Sequence, residues 1–390
     1  MKLLLIRIHS IIILITFYFL MPFALFAKLF TKKTRLLFCE RGYDAQDNAF
    51  VLFNYLSENK DFVCKYVITK KGGKHATIQK NKQIKFGSLK HLFYLNYCDD
   101  IITTHYMLFI PCDISTKRKT RLFKLRSKIV FLQHGIAENY LPSLVYPECK
   151  VDIFSCTVRS EYEYILSNYN HPQGVVRKIG MPRFDKLFEH KKDANSYVFK
   201  TILIMPTWRM WINKNISFEQ TDFYKQWASF LSSSELNSFL KNNNLQVRFV
   251  LHSQLRDYLM FFKKFESDEI LIIDATDKPD ASIQELLIGS DMLITDYSSV
   301  AFDFGFMNKP VYYFCFDYSL FFSNHYKPGF FDYRKDGFGT FFEDANYLLL
   351  SIKRFSYKDW ELEYREKIDF FFRDVKKNCC ERYEEVIKNL

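Results

Sequence analysis

Short apolar runs recur along the chain in two series, each run followed by a polar turn and then by a segment of helical periodicity. In the first series "RLLFCERGYDAQDNAFVLFNYL" reads as strand, turn and helix, with Ala49, Phe50, Phe53 and Leu56 at helical spacing. "FVCKYVIT", "DDIITTH", "KIVFLQHG", "DIFSCTV" and "VVRKIG" read as further strands, with "YEYILSNY" as a helix. The pattern thins from Phe184 to Tyr197 and then restarts. "KTILIMPTWR", "VRFVLHS", "EILIID", "DMLITD" and "PVYYF" form the second series, with "SIQELLIGS" and "SSVAFDFGFM" as helices. Strands that alternate with helices make mostly parallel sheets. The expected architecture is α/β: two doubly wound, Rossmann-like domains facing a cleft. The expected segments are a membrane anchor over 1–33, an N-terminal domain over 34–183, a linker over 184–197, a C-terminal domain over 198–350 and helices over 351–390.

From Ile8 to Phe30 the chain is almost wholly apolar, broken by His9, Ser10, Thr16, Pro22 and Lys28. At about 1.5 Å per residue that length crosses a bilayer core of about 30 Å. Lys28, Lys32, Lys33 and Arg35 lie on its C-terminal side, against Lys2 and Arg7 before it, which favours a cytosolic location for the two domains. A helix lying in the interface is the alternative, and His9 and Pro22 weaken the span. The net charge is +11. Its densest contribution, "STKRKTRLFKLRSKIV" with Lys117 to Lys128, interleaves cations with Leu122, Phe123 and Leu125 and suits an anionic lipid surface. A solvated helix face is the plainer reading, and no nucleic-acid-binding motif accompanies the charge. The nine cysteines form no regular framework and point to free thiols. No metal-site pattern occurs.

The polar motifs cluster at strand ends, where open α/β sheets bind ligands. Gln133-His134-Gly135 comes after "IVFL", Pro206-Thr207-Trp208-Arg209 after "ILIM", His252-Ser253 after "RFVL", and Asp296-Tyr297-Ser298-Ser299 after "LIT". Ser298 and Ser299 either hold a phosphate or diphosphate at a helix start, or Asp296 or Ser298 merely caps that helix. Arg209 suits bidentate phosphate recognition, against a salt bridge to a loop carboxylate. His134 and His252 suit proton transfer near neutral pH, against structural roles. Thr207, Asp296 and Asp303 stand as either donor contacts or structural residues.

"LQHG", "GMPRFD", "PTWR", "LHS" and "ITDYSSVAFDF…NKP" occur in the order and spacing of the CDP-glycerol glycerophosphotransferase family, the teichoic-acid primases and polymerases, which this chain resembles after its first segment. "CERGYDAQDNAF" and "KPGFFDYRKDGFGTFFEDANYLL" add to the likeness. The resemblance implies a GT-B fold. It implies transfer of glycerol phosphate, or another polyol phosphate, from a CDP-linked donor such as CDP-glycerol to a hydroxyl of a lipid-linked or polysaccharide acceptor, with CMP released. No protein-bound cofactor is implied. His134 matches the family's catalytic base, His252 its second essential histidine, and Arg209 with Ser298 and Ser299 its donor-phosphate contacts. Two positions depart from the pattern: Ser253 stands where the family usually has proline, and Gln133 where it often has tryptophan. The implied setting is the cytosolic face of the cytoplasmic membrane, in teichoic-acid-like or capsular polymer synthesis. A nucleotide-sugar glycosyltransferase on the same fold is the alternative enzyme, and a membrane-tethered anion-binding protein the non-catalytic one.

Overall fold

The apolar runs become strands, and every pairing between named strands is parallel. The structure, a computed structural model, describes residues 2–41, 45–69, 75–213, 216–274 and 282–390. Residues 42–44 of the "CERGYDAQDNAF" block therefore lie outside the described residues. The chain divides into two units: the first holds Met1–Ile136, Leu141–Asp185 and Val375–Leu390, the second Ala137–Tyr140 and Lys186–Asp374.

In the first unit the strands are β1 (Thr34–Cys39), β2 (Phe62–Ile68), β3 (Gln83–Lys85), β4 (Asp100–Thr103), β5 (Lys128–Phe131), β6 (Ile153–Cys156) and β7 (Val176–Lys178). They lie in the order β3-β2-β1-β4-β5-β6-β7. The central strands β4 and β6 are buried on both faces, as a sheet covered by helices requires. The edges β3 and β7 are short and carry Lys85, Arg177 and Lys178, which discourages pairing with another chain. The second unit repeats the plan with β8 (Thr201–Met205), β9 (Gln246–Val250), β10 (Ile270–Ile273), β11 (Met292–Thr295), β12 (Val311–Phe314) and β13 (Phe341–Phe342). Their order is β10-β9-β8-β11-β12-β13. Strand order reverses between β1 and β4 in one sheet and between β8 and β11 in the other. At such a reversal the outgoing loops diverge and leave a crevice at the carboxyl ends of the strands.

Helix α1 (Lys2–Lys28) belongs to the first unit and packs on α3 (Leu89–Tyr97), which comes after α2 (Asn48–Leu56) in the chain. Phe17 and Ala24 of α1 are fully buried. Asn96 Nδ2 donates to the Phe17 carbonyl (3.0 Å), Tyr18 Oη to the Leu122 carbonyl at the end of α4 (Thr116–Leu122; 2.7 Å), and Lys28 Nζ to the Cys98 carbonyl (2.8 Å). On its other faces Ile8, Ile12, Ile15, Phe19, Phe23 and Phe26 are exposed. The helix is long and apolar enough to cross a membrane by length and composition.

Two segment boundaries differ from the sequence expectation. The stretch read as a linker, 184–197, begins with a helical turn, Phe184–Leu187. The tail over 351–390 is divided: helix Tyr357–Phe372 belongs to the second unit, while helix Cys379–Lys388 packs in the first, where the Asp185 carboxylate accepts the backbone N–H groups of Cys379 (2.6 Å) and Cys380 (2.9 Å). Those two amides open the helix and have no intrahelical acceptor, so a carboxylate is the natural partner. All nine cysteines are free and buried.

Candidate functional site

Each unit carries a polar cluster at its strand-order reversal. In the first unit the turn after β5 is held from both sides. Gln133 has φ +62° and is buried. Its Nε2 donates to the Ser155 carbonyl (2.9 Å) and to Glu161 Oε1 (2.8 Å), and its own carbonyl accepts from Asn48 Nδ2 (3.0 Å). Gln133 thus points into the core and holds the turn. The turn lifts His134 outward, with 57% of its side chain exposed.

His134 Nδ1 lies 2.5 Å from Asp47 Oδ2. Asp47 is the N-cap of α2, its Oδ1 accepting the N–H of Asn48 (2.8 Å) and Nη1 of Arg183 (2.9 Å). Arg183 Nη1 also donates to the His134 carbonyl (2.6 Å). Glu40, almost fully buried, shapes the same loop by accepting the backbone N–H groups of Gln46, Asp47 and Phe50. Burial pushes the Asp47 carboxyl up, but His134 and Arg183 outweigh it and hold the group below the usual carboxylate range. An ionised carboxylate only accepts, so the Nδ1 proton of His134 is fixed and Nε2 keeps its lone pair. This is the arrangement of an oriented general base.

Against His134, at 4.9 Å between ring centroids, lies His105, just beyond β4. Its Nε2 accepts from Arg41 Nε (3.0 Å) and its Nδ1 pairs with Thr104 Oγ1 (2.8 Å). A guanidinium only donates, so the His105 proton sits on Nδ1 and the ring is neutral. Burial first, then its neighbours His134 and Arg41, lowers its pKa well below the ordinary value.

In the second unit, the loops after β8 and β11 meet through Arg209. The sequence left this arginine between a donor-phosphate contact and a salt bridge to a loop carboxylate; in the structure Arg209 is completely buried. Its Nη2 donates to Asp296 Oδ2 (2.8 Å), its Nε and Nη2 to Asp317 (2.7 and 3.0 Å), and its Nη1 to the Thr207 carbonyl (2.6 Å). Its guanidinium also lies 5.1 Å from the ring centres of both Tyr297 and Phe321. Asp296 is structural as well, accepting the N–H groups of Thr207 (2.8 Å) and Tyr297 (2.7 Å) while fully buried. Asp303 is buried in helix Val300–Phe306. Lys309, of the "NKP" block, is buried and donates to the carbonyls of Leu287, Ile288 and Ser290, closing the end of helix Ile283–Ile288.

Ser298 and Ser299 are partly exposed, and the helix they open has no side-chain cap hydrogen bond, so capping does not consume their hydroxyls. His252 Nδ1 accepts from the Gln254 N–H (3.2 Å), and its ring lies nearly parallel to that of Trp208, 6.3 Å away. Trp208 also meets His325 edge-on at 4.5 Å, and His325 Nδ1 accepts from the Met210 N–H (3.0 Å). Thr207 Oγ1 and His325 Nε2 are buried polar atoms with no hydrogen-bond partner. Among the described residues, no group of three or more His, Cys, Asp or Glu side chains is placed to hold a metal ion.

Sequence reasoning named His134 but missed Asp47, Arg183, His105, His325 and Asp317. Asp47 and Arg183 lay inside blocks already singled out, and His105 ends the run "DDIITTH", two residues past β4, where His134 stands three past β5.

The sequence signature of the CDP-Glycerol:Poly(glycerophosphate) glycerophosphotransferase family matches residues 20–378. The minor teichoic acid biosynthesis protein GgaB of Bacillus subtilis (strain 168) is 29% identical over 379 residues, a match that covers 93% of this chain and 40% of GgaB. The teichoic acid poly(glycerol phosphate) polymerase of Bacillus spizizenii is 26% identical over 314 residues, covering 74% of this chain and 75% of that protein. Among solved structures, the wall teichoic acid polymerase TagF superposes with a TM-score of 0.65 at 17% identity, over 91% of this chain and 88% of that one, which shows a shared, GT-B-like fold.

Proposed function

Because the chain belongs to the CDP-Glycerol:Poly(glycerophosphate) glycerophosphotransferase family, we propose that it transfers glycerol phosphate, or a related polyol phosphate, from a CDP-linked donor to a hydroxyl of a lipid-linked or polymer acceptor and releases CMP. The Asp47–His134 pair carries this reading, because it sets a lone pair on the imidazole of an exposed histidine beside a carboxylate, itself only 12% exposed, that stabilises the imidazolium form. The acceptor hydroxyl gives its proton to His134 Nε2 as its oxygen bonds the phosphorus that bears the glycerol. The bond from that phosphorus to the CMP oxygen breaks, and CMP leaves with the electron pair. Positioning and charge stabilisation provide most of the rate in such displacements. Ser298, Ser299 and His252 are proposed as the donor's phosphate contacts. Arg209 is proposed to hold the Thr207, Asp296 and Asp317 loops in register beneath them, in place of touching the phosphate itself.

The same reading places the protein on the cytosolic face of a membrane, with α1 lying along the surface. The helix midpoint is tied to α3 through Phe17 and to α4 through Tyr18, bonds that a crossing helix forfeits. Its exposed apolar residues face outward next to the basic α4, whose charge complements anionic lipid.

The test is CMP release by detergent-solubilised protein with CDP-glycerol, another CDP-polyol or a UDP-sugar, each with and without acceptor. Acceptor-dependent CMP release supports the reading. Turnover of the UDP-sugar alone replaces it with glycosyl transfer.

A further inference from the structure

The second unit has a pocket of about 380 Å³ away from its strand-end cluster. The cluster lies beyond the ends of β8 and β11. The pocket lies where β12 and β13 begin, walled by those strands and by helices Ala345–Lys353 and Tyr357–Phe372. Its floor is aromatic: Tyr312, Phe342, Trp360 and Tyr364 line it and are otherwise buried. Tyr347 stands at the mouth with 70% of its surface exposed, so the fold leaves a large ring uncovered beside the opening. Hydroxyls share the space. Ser351 Oγ donates to Tyr312 Oη (3.2 Å), which leaves the Tyr312 proton to give. Thr340 Oγ1 and Tyr364 Oη share a hydrogen bond of 3.3 Å. Burial raises the pKa of both tyrosines, and the nearby Glu363 carboxylate adds to that rise. Arg354, Asp359 and Glu363 complete the lining, and none of the three forms an ion pair among the described residues.

We propose that this pocket is a second, non-catalytic binding site and that it takes a neutral sugar ring. The charges and rings of the lining decide the class. A phosphate or other anion meets two carboxylates against one guanidinium. A cation meets Arg354. A wholly apolar ligand takes water from three charges and pairs none of them. A pyranose avoids all three penalties. Its ring C–H bonds are slightly positive and suit the negative face of an aromatic ring. Its hydroxyls donate to Asp359 and Glu363 and accept from Arg354 and the Tyr312 hydroxyl. Hydrogen bonds with one charged partner are the stronger kind, and here no ion pair has to be broken to form them. The volume lies at the low end of the about 300–1,000 Å³ usual for ligand pockets, as a single ring requires. A sugar-bearing chain held here stays on the protein at a point away from Ser298 and His252, which adds affinity without entering the chemistry.

The inference goes beyond the phosphotransferase reading and does not depend on it, so its test uses no donor. Saturation-transfer NMR is run with methyl glucoside, the methyl glycoside of N-acetylglucosamine, and glycerol phosphate, each at millimolar concentration. The proteins are the wild type, Tyr347→Ala, Arg354→Gln and the double variant Asp359→Asn with Glu363→Gln. All four side chains are exposed, so the unfolding midpoints stay at the wild-type value. The wild type transfers saturation to the ring protons of at least one glycoside. Tyr347→Ala weakens that binding about threefold to tenfold, the range for one aromatic contact. The double variant weakens it about tenfold or more, since both charged acceptors are gone. Any signal from glycerol phosphate persists in Arg354→Gln. Three results overturn the inference: no transfer to either glycoside, glycosides that bind every variant as tightly as the wild type, or a glycerol phosphate signal that Arg354→Gln removes. CMP release from CDP-glycerol on a sugar-free acceptor is the same in Tyr347→Ala as in the wild type. A wild type that releases no CMP yet binds a glycoside through Tyr347 fails the phosphotransferase reading and leaves the sugar site standing.

Discussion

Arg209 Nη2 and Asp296 Oδ2 lie 2.8 Å apart, and neither side chain is exposed to solvent at all. Asp317 completes the group with Nε at 2.7 Å. Removing the guanidinium strands two carboxylates in the interior. Arg209→Met is therefore expected to destabilise the protein by about 3–5 kcal/mol, the range for breaking a buried charge pair from one side. A urea titration monitored by near-UV circular dichroism reads this directly. A variant as stable as the wild type that has lost donor binding instead returns Arg209 to direct phosphate contact.

Asp47 and His134 are expected to act as one device. His134→Ala should lower kcat by about 10²–10⁴-fold, with donor affinity retained. Asp47→Asn should also lower kcat, by about 10²-fold or more, because the amide no longer fixes the Nδ1 proton. The double variant should be little worse than His134→Ala alone, since both changes disable the same base. Additive losses in single-turnover assays sink the coupling.

Much of this was legible in sequence. The two series of apolar runs gave parallel sheets because strands covered on both faces need apolar residues at almost every position, as in "MLIT" before Asp296. Strand-end motifs were legible because polar residues that interrupt such runs mark where the chain emerges. Partners were not. Asp47 stands 87 residues before His134, and Asp317 stands 108 beyond Arg209, so neither pairing leaves a local pattern. "PTWR" reads the same whether its arginine faces a ligand or two interior carboxylates. "NKP" carries part of the family likeness, and its Lys309 closes a helix end.

Asp100, which opens β4, offers a pH test away from the candidate site. Burial first, then Asp99 and Asp152 nearby, pushes its carboxyl up to about 7. An ordinary aspartate titrates at about 3.9. The folded state therefore holds this proton more tightly than the unfolded state. The stability it contributes is full below about pH 4 and is lost as pH rises through about 7. Asp100→Asn removes that loss. Its midpoint temperature, measured against the wild type, should gain most at pH 8–9 and least at pH 4–5. The same difference at both ends of the scale means that the carboxyl is not buried in its charged form.

The attachment of α1 separates two membrane geometries. Asn96 Nδ2 reaches the Phe17 carbonyl, and Phe17 itself is fully buried, so the helix is fastened at its middle. A helix lying on the surface is released from vesicles by alkaline carbonate, while a spanning helix is retained. The protein should float with vesicles containing anionic lipid, bind neutral vesicles more weakly, and lose part of its binding in high salt, because the basic α4 adds an electrostatic share. Replacing Phe19 and Phe23, both exposed, with serine should reduce flotation without lowering the unfolding midpoint. Phe17→Ser should lower the midpoint, because it empties a filled site against α3. Carbonate-resistant retention, with Phe17→Ser as stable as the wild type, means that α1 leaves the domain and crosses the bilayer.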